Sequence, residues 1–417
     1  VKIAIIGSGI SGLTCAYLLN AEHDIHVFEK QARIGGHTAT KTIEHKNQTY
    51  HIDTGFIVYN DWTYPNFIKL MNELGIASQP TEMSFSVSCQ KTGLEYSGTN
   101  LNTLFAQRKN IFSGSFLGML LDILRFNKEA IADLEADSLP TDMSLGDYIR
   151  LRGYGKLFAS HYLVPMGSAI WSSTLQEMLD FPLLFFVRFF KNHGLLSVKN
   201  RPQWRVLKGG SHAYLEPLTV NFKQRIHTSA TISKVKRNED SVVLLFKDGS
   251  TQVFDQVVFA CHSDEALALL EDPSTREAEL LGAIPYRKNQ VVLHTDASIL
   301  PRKRLAWSSW NYQLGLNPDT PATLSYDMNI LQGIQSEDTF VVTLNSKERI
   351  DEKKILGEYS YAHPVFTLAG MSAQKRWGEI NGVNRTWFCG AYWKNGFHED
   401  GCASAVRVAE GLGVAWP

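Results

Sequence analysis

Cysteine is scarce in this chain. The five residues Cys15, Cys89, Cys261, Cys389 and Cys402 form an odd set without a C-x-x-C pair, which speaks against a zinc site and gives no disulfide framework. Such usage predicts a reducing cytoplasm. Long apolar runs are also missing, since none reaches the roughly 18 residues that a membrane-spanning helix needs. The N-terminus lacks the charged, apolar and cleavage regions of a signal peptide. Neither sign of charge is in excess: 41 Lys+Arg stand against 42 Asp+Glu, for a net charge of −1, so no electrostatic footprint for nucleic acid is expected. Internal repeats and low-complexity segments are absent too. What these absences leave is a soluble globular chain that at most lies on a membrane surface. Its 417 residues, 44% of them hydrophobic, provide for two or three domains with ample core.

What is present is patterned. The branched, apolar residues 1–6 stop at Gly7, residues 13–19 read as helix, and a second strand follows around residues 25–28, giving strand, tight turn, helix, strand. Between residues 228 and 258 the segments TISKV, SVVLLF and TQVFDQVVFA, with the turn Lys247-Asp248-Gly249, predict a β-meander whose last piece is buried on both faces. Residues 387–389 read as another buried strand, followed by a glycine-punctuated loop and a helix over residues 401–410. The intervening stretches are richer in helical patterns and aromatics. Two of them, IFSGSFLGMLLDILRF (residues 111–126) and FPLLFFVRFF (residues 181–190), read either as buried core helices or as lipid-facing or substrate-tunnel elements, because Arg108, Lys109, Arg188 and Lys191 lie close by.

The turn at the first strand is Gly7-Ser8-Gly9-Ile10-Ser11-Gly12, a G-x-G-x-x-G between strand and helix. Gly7 permits the tight turn, Gly9 lets a pyrophosphate approach the backbone and Gly12 lets helix and strand pack closely, so that the helix N-terminus faces the phosphates. Glu29 ends the second strand, where a carboxylate accepts hydrogen bonds from a ribose and repels a 2′-phosphate. No second G-x-G-x-x-G occurs, since Gly153-Tyr154-Gly155 and Gly411-Leu412-Gly413 lack the spacing. A reductase with a separate NAD(P)H unit is therefore not expected, and electrons leave to oxygen, a quinone or a protein carrier.

Downstream, Arg33-Ile34-Gly35-Gly36-His37-Thr38-Ala39-Thr40 and Asp53-Thr54-Gly55 resemble the glycine-doublet signature of the FAD-dependent amine oxidase and phytoene desaturase superfamily. His37 stands where that family usually has Arg. The resemblance extends to the strand at residues 231–235, to residues 255–260 and to Phe388-Cys389-Gly390-Ala391 with Gly396-Phe397-His398-Glu399-Asp400-Gly401, and so covers about half the chain in three blocks. It implies FAD as cofactor and an α/β fold: a Rossmann-type, glutathione-reductase-like FAD-binding domain from residues 1–58, 205–284 and 385–417, with an inserted α+β substrate domain from residues 59–204 and 285–384. The cofactor contacts it implies are Gly7, Gly9, Ser11, Gly12, Glu29, Lys30, Gly35, Gly36, His37, Thr54, Gly55, Ile232 (by its backbone, to adenine), Ala260, Gly390, Asp400, Gly401 and Ala403. Asp400 reads equally well as a helix cap. Gln203-Trp204-Arg205-Val206-Leu207-Lys208-Gly209-Gly210 resembles the second doublet, which would bring Trp204 to the flavin.

The expected activity is transfer of a hydride from a largely apolar substrate to flavin. CGAYWKNGFHEDG resembles a bacterial subgroup of the superfamily associated with modified fatty-acyl lipids. His398, with an ordinary pKa of about 6.5, suits a base beside the ring, with Glu399 as the next candidate. Two rival readings are an amine oxidase with Tyr392 and Trp393 as an aromatic cage, and a lipid carrier on the same fold without flavin chemistry.

Overall fold

A computed structural model describes residues 1–171, 173–197, 199–316 and 323–417. The apolar strands Lys2–Ile6 and Asp24–Phe28 sit inside a five-stranded parallel sheet in the order Ile226–His227, Asp24–Phe28, Lys2–Ile6, Gln256–Phe259, Thr386–Phe388. Ile3 lies opposite Ile25, Ala4 opposite Val257 and Val258 opposite Trp387. The middles of these runs are mostly apolar because both faces are covered. The helices Ile10–Leu19 and His398–Gly411 pack on one face with Ile5, Val27 and Val258. The antiparallel meander Ile232–Arg237, Val242–Phe246, Thr251–Phe254 covers the other with Ala4, Phe28 and Phe259.

The run TQVFDQVVFA divides at Asp255, its first part closing the meander and its second joining the parallel sheet. Asp255 fixes the division, because its carboxylate accepts from the Lys2 backbone N–H at 2.7 Å while its own N–H donates to the Lys2 carbonyl.

A seven-stranded sheet forms the second layer, in the order Ile355–Pro364, Tyr286–His294, Val341–Leu344, Thr323–Asp327, Trp310–Leu314, Phe85–Cys89, Glu95–Ser97. Phe85–Cys89 pairs in parallel with Trp310–Leu314, so both inserted stretches build one sheet. The helices Gly114–Glu135, Val164–Trp171 and Leu183–Asn192 share its core through Phe126, Ala169, Phe186 and Phe190. The division of the chain departs from the sequence boundaries in two places. Tyr59, Tyr64, Phe67, Leu70 and Met71 pack with the parallel sheet, while Ala39, Ile52, Ile57 and Val206 pack with the second core.

The two apolar segments part company. In the second, Phe181, Leu183, Phe186, Val187, Phe189 and Phe190 are all buried, and none of the segment lines the central cavity. It is core. In the first, Phe116, Met119 and Phe126 point inward, while Phe112, Leu117, Leu121 and Leu124 are exposed. Among the described residues no helix is long and apolar enough to cross a membrane.

Candidate active site

A cavity of about 940 Å³ runs from Glu29 and Ile232 past Gly7, Gly9 and Ser11, along Gly36, His37 and Gly55, to Gly390, His398 and an aromatic end at Trp171, Trp310 and Tyr326. Its first stretch is backbone. Gly7 has φ +112°, and a Cβ there would lie 2.7 Å from the Ala260 carbonyl oxygen. At Gly12 a Cβ would come within 2.0 Å of the Gly7 carbonyl oxygen, whereas at Gly9 it would meet nothing within 4 Å. Two glycines close the strand onto the helix, and the third leaves space. The helix Ile10–Leu19 has no side-chain cap, so its first-turn N–H groups remain for an anion.

Glu29, 9% exposed, accepts from the Ser8 N–H at 3.1 Å, the Ser8 hydroxyl at 2.6 Å and the Gln31 N–H at 2.8 Å. Lys30 is ion-paired with Glu265. The doublet is tied to the turn by Gly35 N–H donating to the Ser8 carbonyl at 2.9 Å, and Gly35 and Gly36 both have positive φ, +105° and +57°. Arg33 donates to the carbonyls of Gly36 at 2.7 Å and Thr38 at 3.2 Å, a brace that the sequence motif did not single out. Gly55 must be glycine, because a Cβ would lie 2.1 Å from the His37 carbonyl oxygen. The His37 Nε2 is buried without a hydrogen-bond partner, and burial holds that ring neutral, well below its usual range.

The sequence profile of the family described as flavin containing amine oxidoreductase matches residues 10–313. The chain belongs to that family. It is 23% identical over 297 residues to the coproporphyrinogen III oxidase of Staphylococcus aureus (strain NCTC 8325 / PS 47), covering 62% of this chain and 59% of that one. The chain spans about three-fifths or less of the curated relatives it matches. Among solved structures it is similar in fold to a putrescine oxidase bound to putrescine (TM-score 0.69, 15% identity, 99% of each chain). It is likewise similar to the CLA-producing fatty acid isomerase of P. acnes (TM-score 0.66, 14% identity, 99% of this chain and 97% of that one). FAD is the cofactor of this flavoprotein. The residues fit it: a cradle at Gly9 that a side chain would fill, a helix end with free donors, Glu29 at one end and the unpartnered Nε2 of His37.

Not every residue implied by the resemblance faces the cavity of this amine oxidoreductase-family chain. Gly7, Gly9, Ser11, Glu29, Lys30, Gly36, His37, Gly55, Ile232, Ala260, Gly390 and His398 line it; Gly12, Gly35, Thr54, Glu399, Asp400, Gly401 and Ala403 stand behind. Thr54 donates to the Ala39 carbonyl at 2.9 Å and accepts from the Tyr361 hydroxyl at 2.7 Å. Gly401 lets the last helix abut the first, since a Cβ would lie 2.7 Å from Ile10 and 2.8 Å from the Ser11 hydroxyl. Asp400 reaches back to cap its own helix, accepting from Phe397 N–H at 3.0 Å and Asn395 N–H at 3.2 Å, and burial raises its pKa to about 7. Ala403 is half-buried one turn further on. Trp204 lies in the strand Trp204–Leu207, away from the cavity.

The two catalytic candidates occupy different surroundings from a solvated acid or base. His398 is stacked on Phe56 with ring centroids 3.6 Å apart and hydrogen-bonds Thr38 through Nε2 at 3.1 Å. Thr38 is in turn hydrogen-bonded to Tyr214. Burial pushes the imidazole down to about 3, which suits a neutral hydrogen-bonding group and makes a weak proton acceptor near neutrality. Glu399 points to the helix Pro65–Glu73, accepting from Phe67 N–H at 3.0 Å and the Asn66 amide at 2.6 Å. It caps that helix. The Asp53 carboxylate, 0% exposed, accepts from the Ser211 N–H at 2.9 Å, the Ser211 hydroxyl at 2.8 Å and the Thr40 hydroxyl, joining the two glycine doublets. Tyr214 and Ser211 carried no motif signal, because their partners are more than 150 residues away in sequence.

Proposed function

We propose that this chain is an FAD-dependent oxidoreductase acting on a largely apolar substrate, of which a modified fatty-acyl lipid is one, and not on a cationic amine. One observation carries the reading. The far end of the cavity is lined by Ile57, Val58, Trp171, Trp310, Tyr326 and Phe366, and it has no carboxylate among the described residues. Both lining carboxylates, Glu29 and Glu265, are engaged near the dinucleotide turn with Ser8 and Lys30. The cation beyond the glycine doublet is Lys41, whose Nζ lies 4.2 Å from the Tyr359 ring centroid. An ammonium substrate would meet a further positive group in the cavity and no carboxylate at its far end. An apolar chain with a neutral or acidic head meets hydrophobic wall and a positive group. The fold shared with a fatty acid isomerase is compatible with that substrate class.

When bound, FAD supplies a two-electron acceptor for substrate oxidation or desaturation. Around it, Phe56 and the Thr38–His398 pair exclude water, Arg33 fixes the doublet's carbonyls, and Asp53 holds the two doublets in register. With a single dinucleotide turn, reoxidation falls to oxygen, a quinone or a protein carrier. The alternative amine-oxidase cage is incomplete here: Tyr392 lines the cavity, but Trp393 is buried behind it with Ile380 and Phe388.

The test is anaerobic mixing of the yellow holoprotein with fatty acids, carotenoid precursors and amines, read as bleaching of flavin absorbance. Bleaching by an apolar substrate is expected. Bleaching by small amines alone would replace this reading with the amine oxidase, and a protein that purifies colourless and takes up no FAD would replace both with the carrier.

A further inference from the structure

The helix Gly114–Glu135 covers one apolar face and carries a shorter apolar stripe on the other. Phe116, Met119, Phe126 and Ala130 are buried against the second core. On the opposite side Leu117, Leu121 and Leu124 follow at i, i+4 and i+7, which is one stripe of a helix surface. They are 39%, 69% and 55% exposed, and Phe112, in the turn before the helix, is 89% exposed. An apolar stripe of this kind on a water-facing helix marks a contact surface.

The charge around it identifies the partner. Arg108 and Lys109 precede Phe112, Lys128 continues the stripe at i+11, and Lys156 lines a cleft beside Ser115 and Gly118 of the same helix. Among the described residues none of these four cations has a carboxylate partner; Arg108 donates to the Asn102 side chain and to backbone carbonyls. The one carboxylate of the patch, Asp122, is neutralised by Arg125 at 3.1 Å and accepts from the Gly155 N–H at 2.7 Å. Acids further along are engaged as well, Glu129 with Tyr154 and Asp133 with Arg152 and Tyr148. An isologous second copy would set this cationic fringe against itself. A bilayer with anionic headgroups satisfies both parts, apolar side chains below the headgroup level and cations among the phosphates.

We propose that the stripe Phe112, Leu117, Leu121 and Leu124, with Arg108, Lys109, Lys128 and Lys156, is a docking surface for an anionic lipid bilayer. The proposal does not depend on the substrate reading above, since it concerns a surface and not the cavity. Binding is shallow and reversible, as one short amphipathic face provides no anchor.

The experiment is co-sedimentation of the holoprotein with phosphatidylcholine vesicles containing about 30% phosphatidylglycerol, against phosphatidylcholine alone. The wild type is expected to partition onto the anionic vesicles and to lose about 10-fold or more of that partitioning on neutral vesicles or at about 0.5 M salt. Leu117→Glu with Leu121→Glu and Leu124→Glu should lose it by a similar factor while flavin content and Tm stay at wild-type values. Lys109→Glu with Lys128→Glu should remove the preference for anionic lipid. Should the triple variant fold poorly, Phe112→Ser, at the most exposed position, gives the same readout. Absence of wild-type binding to anionic vesicles, retention of binding by the folded leucine variant, or a concentration-dependent dimer that the leucine changes dissolve would each overturn the proposal, the last by giving the face to a second copy.

Discussion

Replacing Gly9 with valine separates the fold from the cofactor. Gly9 has φ −71° and ψ −179°, an extended conformation open to any residue, and an added Cβ meets nothing within 4 Å. The folded chain therefore accepts the substitution for the loss of a glycine N-cap, at most about 1 kcal/mol, which in a chain of this size moves Tm by only a few degrees. The space that the valine enters belongs to the cavity. Crowding a close-packed site costs about 1–3 kcal/mol, or about 5- to 150-fold in dissociation constant. Gly12→Ala is the counter-experiment: its methyl would lie 2.0 Å from the Gly7 carbonyl oxygen, so it should damage folding before it affects binding. The assay is reconstitution of the apoprotein followed by flavin fluorescence, with thermal unfolding beside it. Reconstitution of Gly9→Val with wild-type affinity for FAD would refute the placement of the cofactor at this turn.

His398→Ala should lower FAD affinity while slowing flavin reduction at saturating substrate by less than about 10-fold, because an imidazole held neutral to about pH 3 is a weak base; a loss of about 100-fold with unchanged affinity would restore it as the proton acceptor. Asp53→Ala strands the Ser211 N–H and hydroxyl and the Thr40 hydroxyl, so a loss of about 1–3 kcal/mol in unfolding free energy is expected from denaturant titration. Wild-type stability there would show that water replaces the carboxylate. His294 is buried between the Asp296 N–H, 3.0 Å from Nδ1, and the Thr343 hydroxyl, 2.8 Å from Nε2, and burial lowers its pKa to about 4. The unfolded chain takes up that proton near pH 6.5, so the stabilisation is complete above about 6.5 and is lost as pH falls towards about 4, amounting to about 3 kcal/mol. His294→Asn should flatten the fall of Tm over that window, whereas curves parallel to wild type would remove His294 from the acid response.

The local sequence determined the dinucleotide turn. Gly7, Gly9 and Gly12 act within one turn of chain, and each role follows from the absence of a side chain at a fixed spacing, so strand, turn, helix and the acid at Glu29 were all legible. The meander was legible for the same reason, since alternation and a turn at Gly249 are local signals. Tertiary structure decided what each polar residue does. His398, Glu399 and Asp400 are neighbours in a motif, yet one lines the cavity, one caps a helix more than 300 residues away and one caps its own helix. Only folding sets the burial that holds His398 neutral, or brings Asp53 to Ser211 across 158 residues. The two apolar segments were indistinguishable as strings, because hydrophobicity alone does not say whether a second surface arrives to cover it. One received the core of the inserted domain, and the leucines of the other were left facing water.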